Sequence, residues 1–170
     1  MILLASTIRR VVAIDANLNG RTGFAAVTRS GSIYFCKSYD SKLSLDSMRS
    51  DLKALLGGHT TGATLVVIEE PLLFAARSAK TARGLFLRAG QFVEMAERAQ
   101  APWRLVNVST WKAARGIKPN AKSEIAKAQS IVKAKAAIGP LAHKAIDGDV
   151  ADAINLGIYA ANKLSTGEVP

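Results

Sequence analysis

Cysteine, histidine and aromatic residues are scarce in this 170-residue chain. There is one cysteine, Cys36, and there are two histidines, His59 and His143; aromatic residues make up 6%. A single cysteine cannot form an internal disulfide, and the histidines lack the spacing of a metal-ligand pair. We therefore expect neither a disulfide framework nor a zinc site, and a lone thiol suits a reducing compartment.

Long apolar runs are also lacking. Apolar residues make up 49% of the sequence, but no run approaches the ~18–20 residues that a membrane helix needs. The opening MILLASTIRR has its arginines after the apolar residues, the reverse of an export signal. We expect a soluble protein with no membrane partner, in the cytoplasm of a bacterial or phage-infected cell.

Acidic residues are few and basic residues many. Asp and Glu number 13 against 23 Lys and Arg, which gives a net charge of +10 and an isoelectric point near 10.1. Such an excess attracts polyanions, of which nucleic acid is the commonest. Charge alone carries no sequence specificity, because phosphate contacts do not read bases.

The order of the apolar segments predicts an α/β fold with a mixed five-stranded sheet, in a single domain over residues 1–170. The expected strands are 10–17, 22–29, 32–39, 64–71 and 104–108, and the expected helices are 42–56, 79–100, 109–116, 120–136 and 147–162. The first three strands read as an antiparallel meander. The run TLVVIEEP is continuously apolar before its acids, which is typical of a strand covered on both faces.

Acids follow two of the predicted strands directly. Asp15 ends the run VVAI, and Glu69 and Glu70 end the run LVVI. Strand ends are where ligand sites gather in α/β sheets. Each acid alone could also simply begin a turn.

Three aspartates open the last helix in DGDVADAINLGIYAAN. Asp147 can cap the helix, and Asp149 suits its first turn. Asp152 lies three residues after Asp149 on the same side and borders the apolar stripe. Because a carboxylate there is costly without a cation, capping does not explain Asp152.

A hard divalent cation shared by Asp15, Glu69, Asp149 and Asp152 is the economical interpretation. Oxygen ligands suit Mg²⁺ or Mn²⁺. Two such ions ~3.5–4 Å apart can activate water and stabilise the leaving oxygen of a phosphodiester. On the residues alone, Glu70 could add a second carboxylate and Asp147 could replace Asp149.

The order of these motifs resembles the RuvC-like Holliday junction resolvases of the ribonuclease H-like nuclease superfamily. The matching segments are AIDANLNGRTGFAAV, VVIEEP and DVADA, and the resemblance runs from Val11 to about Lys163. It implies a ribonuclease H-like fold and a Mg²⁺-dependent crossover junction endodeoxyribonuclease with two ions per site, for which Mn²⁺ can substitute. It also implies branched DNA as substrate and a homodimer with one site per subunit.

The resemblance implies roles for basic residues as well. Lys112 in STWKAARG and Lys122 in NAKSEI match family positions that support cleavage. A lysine near the metals can neutralise charge on the scissile phosphate. Other cations are expected to contact phosphates, namely Arg77, Lys80, Arg83, Arg88 and Lys118, and the helix 79–100 is the expected dimer interface. No motif points to a particular branch-migration motor.

Two segments depart from the family pattern. The first loop, ANLNG, lacks the Pro-Gly common in bacterial members, and the first aromatic after Glu69 comes late, at Phe74. Phe74 could wedge against unstacked bases or belong to the core. These departures suggest a divergent member, encoded by a phage or mobile element.

Two other functions fit the same charge and acids. One is a different ribonuclease H-like nuclease, acting on an RNA–DNA hybrid or a ribosomal RNA precursor. The other is a nucleic-acid-binding protein that kept the fold without catalysis. Competition between substrates separates the first, and the intact set of four acids argues against the second.

Overall fold

A mixed sheet with helices on both faces forms the frame of the protein. The structure, a computed structural model, describes residues 5–18, 20–57, 64–71, 78–118, 123–138 and 146–170. Strands β1 to β5 span Arg10–Asp15, Arg21–Thr28, Ile33–Asp40, Thr64–Glu69 and Trp103–Val106. Helices α1 to α5 span Leu45–Gly57, Ala79–Arg98, Val108–Ala114, Ser123–Ile138 and Gly148–Ser165, and a 3₁₀ turn at Ala5–Thr7 precedes β1.

The strand order is β3-β2-β1-β4-β5. The pairs β1–β2 and β2–β3 are antiparallel, whereas β1–β4 and β4–β5 are parallel. The turn between β2 and β3 uses Gly31 at φ +90°, a conformation that glycine adopts without strain. The predicted α/β fold with a mixed five-stranded sheet is confirmed.

Both faces of the central strands are buried, which explains their continuous apolar runs. Val11 and Ala13 of β1 pack on one face, in a core shared with α3 and α5. Val12 and Ile14 pack on the other face, in a core shared with α1 and α2. Side chains alternate between the faces of a strand, so a run with no polar residue needs a cover on each side.

Helix α5 lies very close to the sheet. A Cβ atom at Gly157 would come within 2.7 Å of Val27 Cγ2 and 3.3 Å of Ala13 Cβ. The small residues along α5 therefore allow its first turn to reach the strand ends. In the described parts of the chain, no helix is long and apolar enough to cross a bilayer.

The boundary between β5 and α3 differs from the sequence prediction. Residue 108 was expected to end a strand, but Val108 begins α3, and Asn107 is the N-cap. Asn107 Oδ1 accepts from the Ser109 backbone N–H at 2.9 Å, so the serine is a donor to the cap rather than the cap itself. Asn120, whose side chain could cap the expected helix 120–136, lies outside the described residues.

Candidate active site

Two carboxylates emerge side by side at one edge of the sheet. Asp15 is the last residue of β1 and Glu69 the last of β4, and these neighbouring strands run parallel with Ile14 opposite Ile68. Asp15 is buried, with 7% of its surface exposed. The parallel pairing therefore brings both acids to the same place, as expected from the strand-end pattern.

Helix α5 brings two further carboxylates to this edge. Gly23 of β2 pairs with Asp15, and a Cβ atom there would lie 2.0 Å from the backbone oxygen of Asp149. Only glycine permits the start of α5 to sit this close to β2. The glycine of the Thr-Gly motif thus sets the position of Asp149 and, one turn later, of Asp152.

The four carboxylates form one electrostatic cluster. Burial raises the pKa of Asp15 well above its usual value; Glu69, Asp152 and Asp149 raise it further, and Lys112 lowers it. Burial also raises the pKa of Glu69 to about 7, against the attraction of Lys112. The pKa of Asp149 is raised as well, mainly by burial. Burial and mutual repulsion both disfavour full ionisation here.

Side-chain donors hold two of the carboxylates, Asp152 and Glu69. Lys112 Nζ lies 3.1 Å from Asp152 Oδ2, and both side chains are largely buried. Ser130 donates its hydroxyl hydrogen to Asp152 Oδ1. The indole Nε1 of Trp111 donates to Glu69 Oε2 at 3.0 Å. The cation that Asp152 was expected to need is thus, in part, Lys112.

Asp149 has weaker partners than Asp152. Its Oδ1 accepts from Asn17 Nδ2 at 3.4 Å and is 3.8 Å from Lys127 Nζ. The Lys127 side chain is half exposed. Water can compete for both contacts, so Asp149 is less firmly held than Asp152.

The two alternative ligands considered from the sequence have other partners. Asp147 caps α5, as predicted: its Oδ1 accepts from the Val150 N–H at 2.9 Å, and its Oδ2 is 2.9 Å from Arg21 Nε. Glu70 accepts from Asn107 Nδ2 at 3.3 Å. Both acids are therefore engaged in local structure next to the cluster.

The four carboxylates are chemically suited to bind a hard divalent cation. Among the described residues, no group of three Asp, Glu, His or Cys side chains is arranged to hold a metal ion, and oxygens of Glu69 and Asp152 accept from the donors named above. However, in the part of the chain that the structure describes, the cations that act on these four buried or half-buried carboxylates are three, Lys112, Lys127 and Arg21. The excess negative charge and the all-oxygen donors suit Mg²⁺ or Mn²⁺ after side-chain rotation.

The remaining predicted residues fall into two sets of three, with Arg88 apart from both. Three lie outside the described residues: Phe74, Arg77 and Lys122. Three have exposed positions on α2 or after α3: Lys80, Arg83 and Lys118. A Cβ atom at Gly84 of α2 would meet Leu18 Cδ1 at 2.3 Å, so the basic start of α2 lies beside the loop that follows Asp15. Arg88 is partly buried and donates to the Ser41 carbonyl at 2.7 Å.

Sequence reasoning missed Trp111 and Ser130. Both belong to segments that were correctly expected to be helical, and both side chains are fully buried. One signal was available for Ser130: it lies four and eight residues before Ala134 and Ile138, on the apolar face of α4. A hydroxyl on such a face needs a partner, and here the partner is a carboxylate.

Comparison with known proteins finds similarity in structure only. No protein-family model and no curated protein matches the sequence. A solved structure of Thermus thermophilus RuvC in complex with a Holliday junction substrate superposes with a TM-score of 0.73 at 15% identity, covering 95% of this chain and 98% of that one. A second T. thermophilus RuvC structure gives a TM-score of 0.66 at 14% identity, covering 94% and 98%.

A viral protein has the same architecture. The Fowlpox virus resolvase in complex with its substrate Holliday junction DNA superposes with a TM-score of 0.57 at 14% identity, covering 91% of this chain and 98% of the resolvase. Identities this low show that the fold is shared and nothing finer. The predicted ribonuclease H-like fold and the resemblance to RuvC-like resolvases are confirmed at that level, and the divergence expected from the loop sequences agrees with the low identity.

Proposed function

We propose that this protein is a metal-dependent endonuclease that resolves four-way DNA junctions by paired symmetric nicks. One observation carries the proposal: Asp15, Glu69, Asp149 and Asp152 converge at one sheet edge in a strongly basic chain. The fold shared with two resolvases that were solved with Holliday junctions supports the choice of substrate.

The four carboxylates are the proposed ligands of two Mg²⁺ ions, with Mn²⁺ as a substitute. Bound there, the ions would supply an activated water and stabilise the leaving oxygen, giving 5′-phosphate and 3′-hydroxyl ends. The buried wall around Asp15 limits access of bulk water and strengthens each charge interaction.

Lys112 is the proposed stabiliser of charge on the scissile phosphate. Burial lowers its pKa, but Asp152 and Glu69 outweigh this effect, and the pKa is raised overall. The ammonium group therefore stays protonated at the site's edge, where developing negative charge needs it. Lys122 is proposed to assist in the same way, from outside the described residues.

DNA contacts are proposed on both sides of the acidic cluster. Lys80 and Arg83 at the start of α2, and Lys118 after α3, would bind backbone phosphates. Outside the described residues, Arg77 is proposed to do the same and Phe74 to wedge at the junction centre. Symmetric nicking needs two sites, which a twofold homodimer provides. Phe86 and Leu87 of α2 are 40% and 61% exposed and are the proposed centre of its interface.

An end-labelled four-way junction and a linear duplex of the same sequence test this proposal. With Mg²⁺, we expect paired nicks in the junction alone, lost with EDTA and in Asp152→Asn. Asp46→Asn is the matched control, since Asp46 is an exposed carboxylate on α1. Equal cutting of both DNAs, or preferential cutting of an RNA–DNA hybrid, would overturn the substrate. Tight junction binding without any cleavage would favour the non-catalytic alternative.

A further inference from the structure

Asp152 lies at one end of a buried chain of hydrogen bonds that links three helices. Arg115, the C-cap of α3, donates from Nε and Nη2 to Asn155 Oδ1 of α5, both at 3.2 Å. Asn155 Nδ2 in turn lies 3.0 Å from Ser130 Oγ of α4. Ser130 donates to Asp152 Oδ1. Asn155 and Ser130 are completely buried.

The chemistry of the partners determines the direction of every hydrogen bond in this chain. A guanidinium only donates, so the oxygen of Asn155 must face Arg115. The Asn155 amide nitrogen also faces the carbonyls of Ser130 and Ala151, each at 2.9 Å, and carbonyls only accept. The two hydrogens of Asn155 Nδ2 are shared among these three acceptors. Because an amide nitrogen only donates, Ser130 Oγ can only accept from it and has its own hydrogen left for Asp152.

We propose that Arg115, Asn155 and Ser130 form a positioning relay that holds Asp152 for metal binding. The inference rests on the proposed function and adds three positioning residues to it. Ser130 fixes Oδ1 of Asp152, so Oδ2, the oxygen now paired with Lys112, is the one left free to change partner. The cation at the far end polarises each bond of the relay toward the carboxylate and strengthens the last one.

Packing alone does not account for these residues. Asn155 and Ser130 lie between α4 and α5, where apolar side chains of similar size would fill the space without any desolvation cost. The surrounding positions of α5, such as Ala151 and Ile154, are apolar and fully buried. A line of hydrogen bonds from Arg115 through Asn155 and Ser130 that ends on a single carboxylate indicates a role at that carboxylate.

Binding of Mn²⁺ to the DNA-free protein, followed by the electron paramagnetic resonance signal of free Mn²⁺, tests the relay. Ser130→Ala should weaken binding by ~10–100-fold, the usual cost of losing a contact that orients a metal ligand. Ser130→Thr keeps the hydroxyl and should restore affinity to within about threefold of wild type. Thr64→Val is the control, because it removes a buried hydroxyl at the opposite end of β4 from Glu69.

Arg115→Gln keeps the test valid if a change at buried Ser130 prevents folding. Arg115 is half-buried at a helix end, and its loss should weaken Mn²⁺ binding less than Ser130→Ala does. In cleavage assays, both variants should raise the Mg²⁺ concentration for half-maximal rate while changing the rate at saturating Mg²⁺ by less than about threefold. A structural defect alone would instead lower the melting temperature, without raising the Mg²⁺ requirement while sparing the rate at saturating Mg²⁺.

The outcomes separate the relay from the proposed function. If wild type binds Mn²⁺ and both Ser130→Ala and Arg115→Gln bind it equally well, the relay is wrong and the nuclease proposal stands. If wild type neither binds Mn²⁺ nor cleaves a junction, both are wrong. Weakened binding in Ser130→Ala with rescue by Ser130→Thr supports the relay.

Discussion

The inner and outer carboxylates at the acidic edge of the sheet are held in different ways. The inner carboxylates are the proposed ligands Asp15, Glu69, Asp149 and Asp152, and the outer one is Asp147, which caps α5. The inner pair of Lys112 and Asp152 has side chains only 18% and 16% exposed, whereas the outer pair of Arg21 and Asp147 is 53% and 34% exposed. Both pairs are near 3 Å in length, at 3.1 and 2.9 Å, so exposure and not distance distinguishes them.

Because the two pairs differ in exposure, removing one partner of each pair should affect the protein differently. Buried charge pairs act in a low dielectric and leave an uncompensated charge when one partner is removed. Exposed pairs are screened by water and salt and contribute about 0–1 kcal/mol. Changes to the inner carboxylates and their buried partners should therefore alter chemistry, and changes to the exposed pair of Arg21 and Asp147 should only tune stability.

The largest effect is expected from Asp15→Asn. Cleavage should fall by more than ~100-fold, beyond the loss from a contact that merely orients a ligand. The melting temperature of the metal-free protein should rise at the same time, because burial and three carboxylates disfavour the charge on Asp15. Junction cleavage and thermal melting followed by circular dichroism measure both. A variant that cleaves at the wild-type rate would remove Asp15 from the proposed ligands.

Trp111→Phe should have the second-largest effect. The phenyl ring fills most of the space but cannot donate to Glu69, so Mn²⁺ affinity should fall by ~10–100-fold. Trp103→Phe is the matched control, since its Nε1 donates to Glu97 at 3.3 Å, away from the cluster. Titration of both variants with Mn²⁺ compares them. Equal affinities would mean that Glu69 does not need the indole.

Gly23→Ala tests the close approach of α5 to β2. Its Cβ would lie 2.0 Å from Asp149 backbone oxygen, so we expect a loss of about 1–3 kcal/mol in unfolding free energy and a displaced Asp149. Gly57→Ala, at the end of α1 with nothing within 4 Å, should change stability by less than ~0.5 kcal/mol. Urea unfolding of the two variants gives the comparison. A stable Gly23→Ala protein with normal cleavage would show that α5 can shift without cost.

Arg21→Gln tests the outer carboxylate, Asp147, through its ion pair with Arg21. Removing the ion pair to Asp147 should lower the unfolding free energy by less than ~1 kcal/mol, and the difference should shrink in ~1 M salt. Cleavage by Arg21→Gln should stay within about threefold of wild type. Denaturant unfolding at two salt concentrations is the measurement. A loss of cleavage as large as that of Trp111→Phe would contradict the distinction between the inner carboxylates and the outer Asp147.

Asp51→Asn, remote from the cluster, should have the smallest effect and a distinct pH dependence. Hydrogen bonds from Lys37 Nζ at 2.7 Å and Tyr39 Oη at 2.6 Å lower the pKa of Asp51. A lowered folded-state pKa contributes stability above the ordinary value of 3.8, and this contribution is lost as pH falls through the folded-state pKa. Below that range, Asp51→Asn and wild type should converge in stability.

Unfolding at pH 7 and at about pH 3 tests this behaviour, with an expected difference of ~0.5–1 kcal/mol at pH 7. Asp46→Asn is the control, because Asp46 is almost fully exposed beside Arg49 and should give a smaller difference. A gap between Asp51→Asn and wild type that widens on acidification would contradict the assignment.

The carboxylates were predictable from sequence, whereas the groups that hold them were not. Asp15 and Glu69 could be located because each ends an apolar run, and Asp147 because it precedes a helical pattern. The partners of Trp111 and Ser130 could not, because their donors meet Glu69 and Asp152 across 42 and 22 residues of chain. Such contacts depend on how α3 and α4 pack, which a local pattern does not contain.

The sequence by itself determined the alternation of strands and helices, the strong positive charge and the order of the acids, because these follow from local periodicity and composition. Only the tertiary structure decided which acids are buried together and which stay near solvent. Parallel pairing of β1 with β4 and the approach of α5 at Gly23 place four like charges at one edge. Burial then raises the cost of those charges, and the donors from α3 and α4 partly offset it.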